Sequence, residues 1–335
     1  MKEIYVCVLK RAFVLMLFFS LPTLAQDFSK VDKIVSDYPK SFSKVEDLAT
    51  KINRDFSNEE DKARAIFSWI AFNVKYDVKS YFSNSGSKVV KYSYRSEVEK
   101  LEKQQQIKRD KIERTFKSKL AVCQGYALLF EHLAYLSGLE SAVVTGNAKT
   151  SASEIGKLPT ESSHAWNAVK VNGNWKLLDV TWASGTVNPQ KRVFTQKFNE
   201  GYFFTEPDIF ILNHFPDDKN WILSNFSAKE YADFPFYYGD YAKSDFRFIK
   251  PQNGIIAIQK PTILPFKIQD LGANDKVFYV LSYNDKLQNA VLKRNGAVTE
   301  FDVNLSVASE YYLTIFVNQK AISMYKITRG KPTDI

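Results

Sequence analysis

The sequence predicts an α+β protein in which helices pack on an antiparallel sheet and an all-β, sandwich-like region follows. Three observations predict it. Apolar residues recur at three and four residues through 63–74 and 126–136, the spacing of one helix face. The dipeptide Asn172-Gly173 joins two alternating runs, the mark of a tight hairpin between antiparallel strands. From about Gly254 onward, short β-rich runs are split by turn residues, as in a small sandwich. With 335 residues, 45% of them apolar, and two cysteines, the chain is too apolar for a disordered protein and too poor in cysteine for a disulfide scaffold. It is long enough for two cores. The expected division is an export signal over 1–25, a core over 26–245 with an exposed charged insertion at about 84–119, and a β-sandwich-like domain over 246–335.

The first 25 residues carry the parts of an export signal in order: a charged start with Lys2, Lys10 and Arg11, an apolar run over 12–19, and small residues before Gln26. Cleavage is expected after Ala25, which makes the protein periplasmic or extracellular. No later stretch approaches ~18 consecutive apolar residues, so no transmembrane segment is expected once the signal is removed. Removal takes three basic residues and one acidic one, and the net charge falls from +9 to +7. Only Cys123 then survives. An internal disulfide is impossible, and the thiol is a core filler, an intermolecular link or a nucleophile.

Residues 28–54 hold two short helical patterns, around Val31, Ile34 and Val35 and around Val45, Leu48, Ala49 and Ile52, separated by Tyr38-Pro39. Ser57-Asn58-Glu59-Glu60 has the form of a capping box, with Ser57 and Glu60 satisfying free amides at a helix start. The helix that follows puts Ala63, Ile66, Phe67, Ile70, Ala71 and Val74 on one face, with Trp69 and Tyr76 beside it. Residues 95–119 carry nine basic and five acidic side chains with little apolar period, which reads as an exposed helical arm. Helical spacing returns over 124–137, and Gly138 stands where a helix stops. Cys123 therefore heads that helix. A strand at 141–144, a polar loop with Gly156 and Pro159, and the alternating runs 164–171 and 174–182 come next. Beyond Gly185 the chain is rich in aromatics, and Pro207, Pro216 and Pro235 argue against long elements, so this stretch is expected to wrap the core. The closing β runs are 255–258, 277–282, 290–292, 311–317 and 321–327.

Position draws attention to Cys123, because a helix N-terminus presents partial positive charge that favours thiolate over thiol. With Asn172 and Gly173 as the two loop residues, Trp166 falls opposite Asp179 and His164 opposite Thr181. His164 and Asp179 then share a face as diagonal neighbours, and the carboxylate can hold the imidazole in one tautomer. Singly, a cysteine on an apolar helix is usually core, a histidine in a strand a satisfied polar group, and an aspartate ending a strand a turn cap. Together, in a chain with three histidines, they have the order nucleophile, base, orienting acid.

The chain resembles the transglutaminase-like, papain-related cysteine hydrolases. The residues that carry the resemblance are Ala65-Ile66-Phe67-Ser68-Trp69-Ile70 through Asn73-Val74-Lys75-Tyr76-Asp77, Val122-Cys123-Gln124-Gly125-Tyr126-Ala127, His164-Ala165-Trp166-Asn167, and Leu178-Asp179-Val180-Thr181-Trp182. Downstream, Phe203-Phe204-Thr205-Glu206-Pro207 and His214-Phe215-Pro216 with Trp221 are similar to the branch that includes kyphoscoliosis peptidase and cytokinesis-type relatives. The resemblance implies a Cys123 nucleophile, a His164 base that later protonates the leaving group, and an orienting Asp179, acting on an amide carbonyl through a thioester. Water as acceptor gives a peptidase or amidase, the favoured reading; a lysine amine gives a crosslinker; a binding or scaffold protein on the same fold is the third reading. Backbone amides near Cys123 would hold the oxyanion, with Trp69 the candidate indole donor, and Trp166 and Trp182 are candidates to wall the acyl channel.

His132, mid-helix, and His214, in a proline-bounded turn, read as structural. No metal is expected, because there is no cysteine pair, no His-x-x-x-His and no clustered Asp-x-Asp loop. No cofactor is expected, and no nucleic-acid motif accompanies the basic surplus. The expected partner is a protein or peptide substrate, cell-envelope peptide included.

Overall fold

The computed structural model describes residues 27–83 and 92–330; the expected signal over 1–25 and residues 84–91 of the expected insertion lie outside them. Helices α1 (Ser29–Ser36) and α2 (Val45–Asp55) bury the apolar residues that their spacing singles out, Val31 and Val35 on one and Leu48, Ala49 and Ile52 on the other. Helix α3 (Glu59–Asn73) starts one residue later than a Ser57 cap predicts. Asn58 is the cap, and its side-chain oxygen accepts the Asp61 N–H at 2.7 Å. The helix is also buried on every side rather than along one face, from Ala63 through Ala71. Even Arg64 is only 2% exposed. Asp32 meets its guanidinium with two hydrogen bonds, of 2.8 and 2.6 Å, and the rings of Phe28, Phe67, Phe198 and Phe203 surround it.

Strand β1 (Lys75–Tyr76) and the short α4 (Val78–Phe82) follow. The long α5 (Glu97–Ser118) is capped by Ser96, whose hydroxyl accepts the Glu99 N–H at 3.1 Å. This helix corrects the expectation of a wholly exposed arm, because its last two turns bury Ile112, Thr115 and Phe116. Phe116 stacks on Trp69 with ring centroids 5.7 Å apart. Few apolar positions are needed to seat a helix end, and the charges around them hide the period. Strand β2 (Leu120–Ala121) pairs in parallel with β1 and delivers the chain into α6 (Cys123–Leu136).

The central antiparallel sheet is built from β3 (Ser141–Ala148), longer than the four residues expected, β4 (His164–Val171) and β5 (Asn174–Leu178). The hairpin register is the one the dipeptide predicts, Asn167 opposite Leu178 and Val171 opposite Asn174. Asn172 and Gly173 take φ of 50° and 79°, the left-handed pair that a two-residue turn of this hand requires. The second strand stops at Leu178, however, and residues 180–184 form helix α7 (Val180–Ser184) instead of continuing an alternating run. After the small hairpin of β6 (Gly185–Asn188) and β7 (Val193–Gln196) come β8 (Phe203–Thr205), α8 (Pro207–Phe210) and β9 (His214–Pro216). The aromatic stretch therefore does more than wrap: β8 and β9 become the outer strands, in the order β8-β5-β4-β3-β9. Helices α3 and α6 pack on this layer, and Asn167 of β4 ties α6 to β3 by donating to the carbonyls of Ala127 and Ala142 at 3.0 and 3.3 Å.

Helix α9 (Ala228–Asp233), β10 (Phe236–Tyr237) and α10 (Gly239–Ala242) lead into the second layered unit. Its strands are β11 (Arg247–Lys250), β12 (Ile255–Ile258), β13 (Thr262–Gln269), β14 (Val277–Leu281), β15 (Gln288–Asn289), β16 (Lys293–Asn295), β17 (Val298–Leu305), β18 (Tyr311–Val317) and β19 (Lys320–Arg329). They form two sheets, β10-β19-β18-β14-β15 with β12 beside β19, and β11-β13-β17-β16. Leu264, Phe266 and Phe301 of one sheet and Leu313, Ile315 and Tyr325 of the other share a single core, the arrangement of a sandwich. The expected run at 290–292 is not a strand; β15 and β16 lie on either side of it. Strands β13 and β17 are absent from the sequence reading although both alternate, with Leu264, Phe266 and Ile268 inward on one and Phe301, Val303 and Leu305 on the other; the proline and charges fall on the outer face, Pro265 sitting opposite Asp302.

Candidate active site

Cys123 occupies the first position of α6, after Val122 as cap, and is a free, partly buried thiol. The Gly125 and Tyr126 N–H groups donate to the Val122 carbonyl, so the donors that this end of α6 offers beside the sulfur are the N–H groups of Cys123 and Gln124, with the positive potential of the helix start. His164 is the first residue of β4 and pairs across to Gly146 of β3. Its Nε2 lies 2.7 Å from Asp179 Oδ2. The Cys123 thiol lies within hydrogen-bonding reach of the His164 side chain and of the Ala165 backbone N–H.

Asp179 reaches His164 by a different route from the cross-strand diagonal of the sequence reading. It caps α7, its Oδ1 accepting the Trp182 N–H at 3.0 Å, while its own N–H donates to the Tyr202 carbonyl at 2.9 Å. Cap and orienting carboxylate are thus one residue. Its side chain is fully buried, and burial opposes the charge, but the two histidines and their hydrogen bonds hold the carboxyl well below the usual carboxylate range. Burial also opposes a charged His164, yet the Asp179 carboxylate and the Cys123 contact carry its pKa up to about 10. For Cys123 burial pushes upward, and the hydrogen bond and charge of His164 outweigh it, leaving the thiol below its ordinary value. The set favours a thiolate facing an imidazolium.

The structure brings Cys123, His164 and Asp179 together and adds His214, which the sequence reading assigns to a structural turn. His214 opens β9 and is 1% exposed, with Nε2 3.0 Å from the same Asp179 Oδ2. The contact is non-local: β9 pairs with β3 through Gly146 and Ala148, where Ala148 faces His214. A Cβ on Gly146 would come within 2.2 Å of the Phe215 carbonyl, so the strands approach because that position has no side chain. The third histidine of the chain, followed by Phe-Pro and preceded by a glycine-bearing strand, is the signal that was available. Among the described residues, His164, Asp179 and His214 offer three atoms within 4.8 Å of one another, a grouping that by type could hold a cation. Both imidazole contacts here are at hydrogen-bond lengths, so N–H donors engage the carboxylate.

The tryptophans separate. Trp69 is buried in the core, its indole N–H donates to the Pro39 carbonyl at 3.3 Å, and its face is covered by Phe116, so that donor is spent away from an oxyanion. Trp166 is 2% exposed and packs on Phe210 and His214 beneath the site rather than along a channel. Trp182 is partly exposed, 5.5 Å from the His164 ring and 4.3 Å from that of His214, and can wall the approach. Lys111 of α5 reaches over to hydrogen-bond Gln124, the residue after Cys123, which brings a cation to the mouth of the site.

Residues 46–180 match the model of the transglutaminase-like superfamily. The chain is 37% identical over 163 residues to kyphoscoliosis peptidase of Mus musculus, a match covering 48% of this chain and 22% of that protein. It is 22% identical over 241 residues to Hillarin of Drosophila melanogaster, covering 62% of this chain and 29% of the relative. The chain thus spans well under a third of the length of these relatives. Among solved structures, a transglutaminase is similar over 41% of this chain and 32% of its own, at 19% identity and a TM-score of 0.27. Residues 46–180 form a transglutaminase-like superfamily domain, and the relatives that the chain matches include proteins named as peptidases.

Proposed function

We propose that the protein is an exported cysteine peptidase or amidase that cleaves amide bonds of protein or peptide substrates, cell-envelope peptide included, with Cys123, His164 and Asp179 as its triad. One observation carries the proposal: the His164 side chain meets both the Asp179 carboxylate, through Nε2 at 2.7 Å, and the Cys123 thiol. The Cys123 thiolate adds to the amide carbonyl, and the first-turn amides of α6 receive the oxyanion. His164 gives its proton to the leaving nitrogen as the C–N bond breaks, leaving a thioester and a neutral imidazole. That imidazole takes a proton from water, whose oxygen attacks the thioester; when the C–S bond breaks, the acid product leaves and the thiolate–imidazolium pair is restored. Asp179 stays ionised throughout and holds the ring. Periplasmic or extracellular location belongs to the same proposal and rests on the charged, apolar and small-residue order of residues 1–25.

The test is the reactivity of the thiol in the chain from Gln26 onward. Iodoacetamide should alkylate Cys123 near neutral pH at least ~10-fold faster than free cysteine, and Cys123→Ala should abolish release of new amino termini from a peptide library. An ordinary alkylation rate would sink the proposal in favour of a scaffold on the same fold. Incorporation of a labelled primary amine into a glutamine peptide, in excess of hydrolysis, would move the acceptor from water to amine.

A further inference from the structure

His214 is a buried, polar group for which the mechanism just given has no use. It sits in a fitted slot: Phe210 stacks on one side at 4.1 Å and 23°, Trp182 covers another at 4.3 Å, and Trp166 meets its edge at 5.2 Å. Enclosure of this kind leaves the ring one orientation. Its Nε2 then points at Asp179 Oδ2 at 3.0 Å, while Nδ1 faces the Phe210 carbonyl at 3.3 Å. Asp179 Oδ2 is thus shared between two histidines, at 2.7 and 3.0 Å, and Oδ1 is taken by the Trp182 N–H. With donors on both oxygens the carboxylate has no freedom to rotate.

We propose that His214 is a positioning residue: its Nε2–H fixes the Asp179 carboxylate against His164 and, by sharing Oδ2, limits how strongly Asp179 supports the His164 imidazolium. The titratable groups facing His214 are Asp179 at the start of α7, His164 of β4 and the Tyr202 hydroxyl preceding β8, with Cys123 lying beyond His164. Burial holds His214 below its ordinary pKa against the pull of Asp179 and the Phe210 carbonyl, and a second cation beside His164 is opposed by burial and charge; the one proton of the neutral ring then sits on Nε2, at the shorter contact and the charged acceptor, rather than on Nδ1. An anion that loses one donor becomes a stronger acceptor for the donor that remains. Taking His214 away therefore has two separable effects: the His164 imidazolium becomes harder to deprotonate, and the ring it supports is held less well.

This inference rests on the triad proposed above, and the experiment separates the two. Because the chain has three histidines, their rings can be followed individually by NMR on ¹⁵N-histidine-labelled protein. His214→Phe keeps the ring and its stacking and removes the donor; His214→Gln carries an amide N–H to about the place of Nε2. In His214→Phe the His164 titration should move upward by on the order of one pH unit, and kcat for peptide cleavage should fall roughly 10- to 100-fold with KM unchanged. His214→Gln should restore both. If the Phe variant does not fold, His214→Asn, whose shorter amide stops short of Oδ2, should give the same shift. A wild-type His164 titrating near its ordinary 6.5 would remove the triad reading itself. A raised wild-type value that Phe or Asn leaves in place, with activity falling only as the folded fraction falls, would overturn the role of His214 and leave the triad standing.

Discussion

Asp179 carries the most obligations of any residue in the site: it caps α7, accepts from two imidazoles and is fully buried. A buried charge is tolerated when its oxygens meet donors, and here Trp182 serves Oδ1 while His164 and His214 serve Oδ2. Asp179→Asn keeps the cap and the shape but removes the charge that lifts His164 to about 10. Burial then dominates, the imidazolium is lost, and with it the partner that lowers Cys123. Peptide cleavage at pH 7 should fall roughly 10²- to 10⁴-fold, and iodoacetamide alkylation of Cys123 should slow in parallel; a variant within about threefold of wild type would mean that the carboxylate only packs. The wild-type pH profile follows from the same shifts. Activity should rise as Cys123 ionises below its ordinary 9.0 and fall as His164 loses its proton near pH 10.

At the scale of elements, α5 and α6 meet at a position that tolerates nothing larger than glycine. A Cβ on Gly125 would lie 2.6 Å from both the Ala121 methyl and the Thr115 hydroxyl, and Thr115 is buried on α5. Gly125→Ala should therefore cost about 1–3 kcal/mol in denaturant unfolding and, by pushing the first turn of α6, slow alkylation of Cys123 two residues away. An unchanged midpoint would show that α5 can shift freely. Gly125 belongs to the Cys-Gln-Gly-Tyr segment visible in the sequence, but its partner does not, because the charges of α5 mask the turn that buries Thr115 and Phe116. The same contrast runs through the fold. Helices α1, α2 and α6, the Asn172-Gly173 hairpin and strands β12 and β18 were legible because each is fixed by local period or turn chemistry. Local rules also placed Cys123 and His164 at the heads of their elements. The end of β5 at Leu178 is also a local signal, Asp179 capping α7 through the Trp182 N–H, which the alternating run conceals; His214 crosses from β9 only through pairing with β3, far along the chain.

Over the whole molecule, a buried amine ties the end of β3 to the segment that leads into the second core. Lys149, just past β3, is 1% exposed and donates to the carbonyls of Tyr231 and Phe234 at 2.7 and 2.9 Å, while its N–H meets the Asn213 carbonyl at 2.8 Å. Phe234 belongs to the core of the second sheet pair. Burial brings the Lys149 pKa down to about 7 from 10.5, and a neutral amine still has the two N–H groups that these carbonyls need. Between pH 7 and 9 the unfolded chain therefore binds a proton at this residue that the native chain has released, and stability rises with pH. Cys123 and His164 act the other way toward the top of this window, where the unfolded thiol loses its proton near its ordinary 9.0 while the native imidazolium keeps its own to about 10; that share is common to wild type and a lysine variant and cancels in their difference. Lys119, lowered to about 8 by burial, acts in the same direction as Lys149 but is only half-buried, so its share is smaller. Lys149→Met should flatten the rise, losing ~1–3 kcal/mol of stability relative to wild type between pH 7 and 9 in denaturant unfolding. That difference comes on top of a constant penalty for the two carbonyls left without a donor. Parallel curves for the two proteins would show that Lys149 keeps its proton through the window and that the junction is held by a buried cation instead.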